Sequence, residues 1–228
     1  MKINFLTLFP NYYRPFKKES IIAKAIEKKL VKIKVIDFRK YSTDEKHHKV
    51  DDEVFGGGQG MLLKIEPIDL ALNSIKSGAG YKILVSPQGK LFDQKKAEVL
   101  SKYDEITFIS GRYEGFDERI VSLVDEELSI GDYVLTGGEL PSMVMADSII
   151  RLVDGVIKKE SHELDSFQGD GLLDYPQYTR PRIYKGMEVP EVLLNGNHAE
   201  IEKWRKEEQY KKTLKNRPDI IERIKNEK

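Results

Sequence analysis

The stretch YKILVSPQGKLFDQKKAEVLSKYDEITFIS, Tyr81–Ser110, holds one repeat of the fold. Residues 81–87 are apolar with strand-forming side chains and stop at Pro87. A helix-like segment with an acidic start follows over 93–103, and residues 105–110 are again apolar, ending at Gly111. Strand, helix, strand in this order predicts a parallel crossover unit. The same rhythm extends on both sides. Upstream, 2–8 reads as a strand, 15–30 as a helix with Ile22, Ala25, Ile26 and Lys29 on helical spacing, 31–38 as a strand of period two, and 66–77 as a helix. Downstream come a short helix at 116–124, a strand at Tyr133–Leu135 and a helix over 139–153. Such alternation predicts an α/β domain with a largely parallel sheet. Residues 155–180 are polar, turn-rich and without periodicity, which suits a linker or a loop that orders on binding. From Pro190 onward the pattern is helical only, so a small C-terminal helical domain is expected.

At 228 residues the chain suffices for one large domain, or one plus a smaller one. The absence of cysteine excludes disulfides, thiolate metal sites and cysteine nucleophiles, and four histidines disfavour a histidine-rich metal site. MKINFLTLFP reads as a first strand, not a secretion signal. No apolar run approaches the roughly 18 residues a membrane span needs, so cytoplasmic residence is expected. The formal net charge is zero, which excludes a uniformly basic nucleic-acid binder, but the charge is unevenly spread. Residues 1–50 carry 13 Lys/Arg against 5 Asp/Glu, residues 104–174 carry 5 against 17, and residues 175–228 carry 13 against 9. Basic ends around an acidic middle fit a polyanion held by the ends, or simply solvated faces.

Three expected strands end in loops of unusual type: LVSPQG (84–89), ISGRYEG (109–115) and YVLTGGELP (133–141). Ligands of open α/β sheets bind beyond the carboxyl ends of the strands, so the three loops predict one shared crevice. Glycines there allow main chain to approach a ligand closely, although any α/β protein carries glycine at its turns. The denser cluster VDDEVFGGGQGMLL (50–63) is not a triphosphate cradle, because Gly60 is followed by Met61-Leu62 where a P-loop requires Lys and Ser or Thr.

The runs VDDEVFGGGQGM, LVSPQG, ISGRYEGFDERI, SIGDYVLTGGELPSM, LLDYPQYTRP and VPEVLLNGNHAEIEKWR occur in order along nearly the whole chain. Together they resemble the bacterial tRNA (guanine-N1)-methyltransferases of the TrmD type, within the SPOUT superfamily. The resemblance implies an α/β SPOUT domain with a trefoil knot over 1–157, a flexible linker over 158–176, and an all-helical tRNA-binding domain over 177–228. It implies a homodimer acting on the tRNA anticodon stem-loop, and methyl transfer from S-adenosylmethionine to N1 of the guanosine immediately 3′ of the anticodon. Magnesium is generally implicated in the family.

Carried onto this chain, the family pattern assigns the methyl donor to Leu84, Ser86 and Pro87 in the first loop, and to Gly111, Tyr113 and Glu114 in the second. In the third loop it assigns Ile130, Tyr133, Leu135, Gly137, Gly138 and Pro141. Apolar side chains cover an adenine face, glycines leave room at its edge, and Glu114 suits a neighbouring sulfonium. The same pattern makes Asp165 the base for the guanine N1 proton and Arg151 the cation at O6. A carboxylate of ordinary pKa, about 3.9, is a weak base for that proton, so the two groups are expected to act together. Asp170 and Asp174 are alternative bases. tRNA contacts are assigned to His47, Asp51, Gly57, Arg112, Ser166, Asp174, Arg180, Asn197, His198 and Arg205, with Lys46, Lys49, Arg182 and Lys203 as further basic candidates. Trp204 reads as core of the small domain. The chain departs from the family where Val54-Phe55 replaces Pro-Tyr, where Gln59 replaces Pro, and where Tyr175 and Gln177 replace Cys and His. A SPOUT ribose 2′-O-methyltransferase and a non-catalytic RNA-binding relative are the rival readings.

Overall fold

The computed structural model describes residues 1–158, 162 and 165–226. The chain divides into two compact units, Met1–Ile157 and Lys158–Lys228. In the first unit, β1 (Lys2–Thr7), β2 (Lys32–Asp37), β5 (Tyr81–Leu91), β6 (Glu105–Ser110) and β7 (Glu126–Ser129) form a parallel sheet in the order β2-β1-β6-β5-β7. A separate antiparallel hairpin pairs β3 (Asp51–Glu53) with β4 (Met61–Leu63).

Both faces of the sheet are covered, which is why its central strands read as nearly continuous apolar runs. Every residue of β6 is buried, as is all of β1 after Lys2. Side chains alternate between the faces. Ile3, Phe5, Ile83, Val85, Ile106 and Phe108 pack on one side with Ile22 and Ala25 of α2 (Ser20–Glu27), Ala97 and Leu100 of α4 (Gln94–Leu100), and Met145 and Ile149 of α5 (Glu139–Ile150). Leu6, Leu84 and Ile109 pack on the other side with Ile68, Ala71 and Leu72 of α3 (Ile65–Asn73). A short helix α1 (Tyr13–Phe16) brings the Tyr13 ring onto Phe5, centroids 4.3 Å apart. Asp93 caps α4, its side chain accepting from Lys96 N at 2.8 Å, which accounts for the acidic start.

Most expected elements are present, but the helix expected over 15–30 is broken between Phe16 and Ser20 and that over 116–124 is a 3-10 helix, Glu118–Leu123; two further differences matter for the site. β5 does not stop at Pro87 but continues to Leu91. Its pairing with β7 shifts register between Val85 and Lys90, and the proline sits in that irregular stretch, where no ladder N–H is needed. The expected strand at Tyr133–Leu135 is a loop, with Val134 85% exposed. The edge place belongs to β7, and Gly131, at φ +147°, turns the chain out of the sheet just beyond it. The two glutamates of β7 hid this strand from a hydropathy reading. Glu126 is held by Lys96 Nζ at 2.9 Å and by the Tyr81 hydroxyl at 3.1 Å.

In the second unit the described residues 165–176 form turns without regular elements, and Leu173 N donates to Thr213 Oγ at 2.9 Å. The stretch 177–228, expected to be all-helical, also holds a hairpin of β8 (Ile183–Tyr184) and β9 (Met187–Glu188), which precedes α6 (His198–Asn216) and α7 (Pro218–Asn226). Ile220, Ile221 and Thr213 are buried there, and Trp204 is half-buried with its ring 6.5 Å from that of Tyr178.

Candidate active site

The sheet order makes β6, β5 and β7 neighbours, and their carboxyl ends open onto one cavity of about 300 Å³. All residues assigned to the donor lie on its walls, from Leu84, Ser86 and Pro87 through Gly111, Tyr113 and Glu114 to Ile130, Tyr133, Leu135, Gly137, Gly138 and Pro141. The lining is mixed. Leu84, Pro87, Leu135 and Pro141 supply apolar surface, and Glu114, Glu118 and Glu127 supply carboxylates. A flat heterocycle attached to a cation fits such walls: apolar faces for the ring, main chain for its edge, negative charge for the cation.

The two glycines of TGGELP line the cavity and also have a packing role. A Cβ on Gly138 would lie 2.8 Å from Ser110 Cα and 2.9 Å from Gly111 N, and one on Gly137 would lie 2.4 Å from Arg112 Nε. Both would meet protein atoms of the second loop and the end of β6. The glycines let the third loop close onto the end of β6, where Gly138 N donates to the Gly111 carbonyl at 2.9 Å. The backbone at Ser110 and Gly111 cannot yield cheaply, so Gly138→Ala should destabilise the first unit by about 1–3 kcal/mol and weaken donor binding. Urea unfolding and a donor titration on the same variant measure both.

Glu114 is positioned by the glycine-rich hairpin. Its N–H donates to the Met61 carbonyl at 3.2 Å, and Leu63 N donates to the Gly115 carbonyl at 3.0 Å. A Cβ on Gly60, at φ +85°, would fall 2.3 Å from Glu114 Cγ. The hairpin thus leans on the second loop, while its tip at Phe55 is 99% exposed.

Behind the third loop lies a buried polar network. The Arg112 guanidinium is 2.9 Å from the carboxylate of Glu139, the first residue of α5, and donates to the Thr136 carbonyl at 3.0 Å. It lies over the rings of Phe9 and Tyr12, at 4.5 and 5.2 Å. The other Glu139 oxygen accepts from Thr7 Oγ at 2.7 Å. The Tyr13 hydroxyl meets Ser110 Oγ at 3.0 Å and Ser142 Oγ at 2.9 Å, and burial pushes its pKa well above the usual tyrosine value. Sequence reading assigned Arg112 to tRNA and passed over Glu139, Thr7 and Tyr13. Glu139 directly after two glycines, at a helix start, was the one available signal.

Arg151 sits at the C-terminal cap of α5. One turn earlier, burial raises the Asp147 carboxyl above its ordinary range, and the charge of Arg151 opposes the shift. Asp165 belongs to the second unit, in the turn that opens its described stretch. Nearby, Ser166 Oγ accepts from Asp174 N at 2.9 Å, and Asp174 accepts from Tyr175 N and Gln177 Nε2, each at 2.7 Å.

Of the other residues assigned to RNA, His47 N donates to Asp44 in an exposed turn, Asp51 pairs with Leu63, and Gly57 lies at the hairpin tip at φ +82°. In the second unit Asn197 caps α6 and His198 is its first residue. Arg205 contacts Glu202 at 2.6 Å and lies 4.8 Å from the Tyr175 ring, and Arg180 is exposed. In the first unit His47, Asp51 and Gly57 lie on or next to the hairpin and Arg112 follows β6; in the second, the Ser166–Asp174 bond and the Arg205–Tyr175 contact tie part of the set to the 166–175 stretch. Among the described residues no group of three or more His, Asp or Glu side chains is placed to hold a metal ion.

The sequence profile of the family described as tRNA (Guanine-1)-methyltransferase TrmD matches residues 1–223. The chain is 80% identical over 228 residues to a protein of Mycoplasmopsis agalactiae named tRNA (guanine-N(1)-)-methyltransferase, covering 100% of both chains. A protein of the same name from Mycoplasmopsis synoviae is 70% identical, again over 100% of both. One from Thermotoga maritima is 53% identical over 97% of this chain and 90% of its own length.

Proposed function

Because the chain belongs to the tRNA (guanine-1)-methyltransferase family, we propose that it methylates N1 of the guanosine immediately 3′ of the tRNA anticodon, with S-adenosylmethionine as the donor. The observation that carries this reading is the single cavity at the ends of β5, β6 and β7, walled by every residue assigned to the donor. Leu84, Pro87, Leu135 and Pro141 would cover the adenine ring, main chain of the three loops would meet its edge, and Glu114 would offer the sulfonium a negative charge. S-Adenosylmethionine, when bound, supplies a methyl group activated by that sulfonium.

The protein's task is then the acceptor. Guanine N1 carries a proton, and its lone pair is available only once that proton leaves. Asp165 takes it. Arg151 holds O6, where negative charge gathers, and thereby acidifies N1–H. Neither group suffices alone, since an ordinary carboxylate is far too weak a base. The basic residues of the second unit, with the β3–β4 hairpin, hold the anticodon arm through phosphate contacts and splayed bases. The enzyme works as a cytoplasmic homodimer. Leu140 and Val144 support the dimer, for they stay 51% and 49% exposed on a helix that already buries Met145 and Ile149 on another side. The trefoil knot of the family is part of the same reading. It is supported by α5, late in the first unit, returning against β1 and β6 through the Thr7–Glu139 and Ser110–Ser142 contacts.

The experiment is a methyl-transfer assay with labelled donor and two transcripts of one tRNA. A transcript with guanosine 3′ of the anticodon should be labelled at N1, and one with adenosine there should remain unlabelled. Equal labelling of both, or label on a ribose oxygen, contradicts the assignment.

A further inference from the structure

One side chain joins three segments that meet beyond the sheet, and nothing in the methyl-transfer chemistry uses it. Arg112 contacts the segment after β1 through the Phe9 and Tyr12 rings, the third loop through the Thr136 carbonyl, and the start of α5 through Glu139. Its side chain is 14% exposed and that of Glu139 1%. Gly137 is bare on the side that faces it. A residue meant for a phosphate would keep its fork open to solvent. Here two directions of the fork are already taken, by a carboxylate and a carbonyl, and the flat face is covered by aromatic rings.

We infer that Arg112 is a positioning residue for the methyl donor, holding Thr136–Gly138 in the shape that forms one wall of the cavity, and not a tRNA contact. The guanidinium suits this because it is planar and donates in two directions at once. A lysine ammonium cannot stack on Phe9, reach Thr136 and pair with Glu139 together. Glu139 keeps its carboxylate buried only because Arg112 and Thr7 face it, so the loop, the helix start and the end of β1 are held as one body. The inference deepens the proposed function and rests on it.

The test is a pair of affinities on full-length protein: S-adenosylhomocysteine by calorimetry, and the guanosine-bearing tRNA by filter binding. Arg112→Ala leaves Glu139 buried without its cation and is at risk of misfolding, so two other variants are used. Arg112→Lys keeps the charge. The double variant Arg112→Met with Glu139→Gln removes both charges while retaining volume. In each, the nucleoside should bind about 10- to 100-fold more weakly, the equivalent of one lost charge-assisted hydrogen bond, while tRNA affinity stays within about threefold. Unchanged nucleoside affinity in folded variants overturns the inference, and so does a loss of tRNA affinity as large as the nucleoside loss. Failure of the wild-type chain to bind the nucleoside at all would instead contradict the proposed function.

Discussion

Asp165→Ala is expected to lose methyl transfer by about 10²- to 10⁴-fold, the usual worth of a positioned base, while donor affinity stays within about threefold. The two readouts separate because the residues assigned to the donor all belong to the first unit and Asp165 to the second. Single-turnover rates at saturating tRNA isolate the chemical step. Asp165→Asn should be as damaged as Asp165→Ala, since the amide keeps size and hydrogen bonding but cannot accept the N1 proton. A variant that keeps near-normal rates would move the role elsewhere. Asp170 would then be tested before Asp174, whose carboxylate already accepts from Tyr175 N and Gln177 Nε2.

Arg151→Ala should cost nearly as much, about 10²- to 10³-fold in the chemical step. The group at O6 matters most as charge develops there, so the loss belongs in kcat more than in KM. Arg151→Lys should recover only part of the rate, because an ammonium supplies charge without the flat two-pronged fork. If both groups act on one proton transfer, as proposed, their losses should not be additive. The Asp165→Ala, Arg151→Ala double variant is expected to be scarcely slower than the worse single one. A double variant slower by the full product of the two losses would mean that the groups serve separate steps.

Much of the fold is legible in the chain because its central strands are buried on both faces. β1 and β6 can be read as strands from apolar content alone, and the Asp93 cap marks α4. β7 is not legible that way. Its residues EELS place Glu126 at a sheet edge where Lys96 and Tyr81 meet it, and those partners lie 30 and 45 positions away. The opposite error arises at Tyr133–Leu135, where a strand-like run is exposed cavity wall. The residues on the cavity wall are legible as motifs, since each loop is contiguous. The reason for the glycines is not, because the atoms that would block a Cβ on Gly137 and Gly138 belong to Ser110, Gly111 and Arg112 on another loop. Arg112 shows the same limit. A lone arginine in an exposed-looking loop suggests RNA, and only the folded chain brings it to Phe9, Tyr12 and Glu139.

The claim on which the rest depends is that the cavity between the three strand-end loops receives the methyl donor. Calorimetric titration of the purified chain with S-adenosylmethionine, and with S-adenosylhomocysteine, tests it most directly. Saturable binding of both to the wild-type protein, and a marked weakening in Gly138→Ala, are expected. Absence of any heat of binding, from protein whose circular dichroism and cooperative melting prove it folded, would contradict the account.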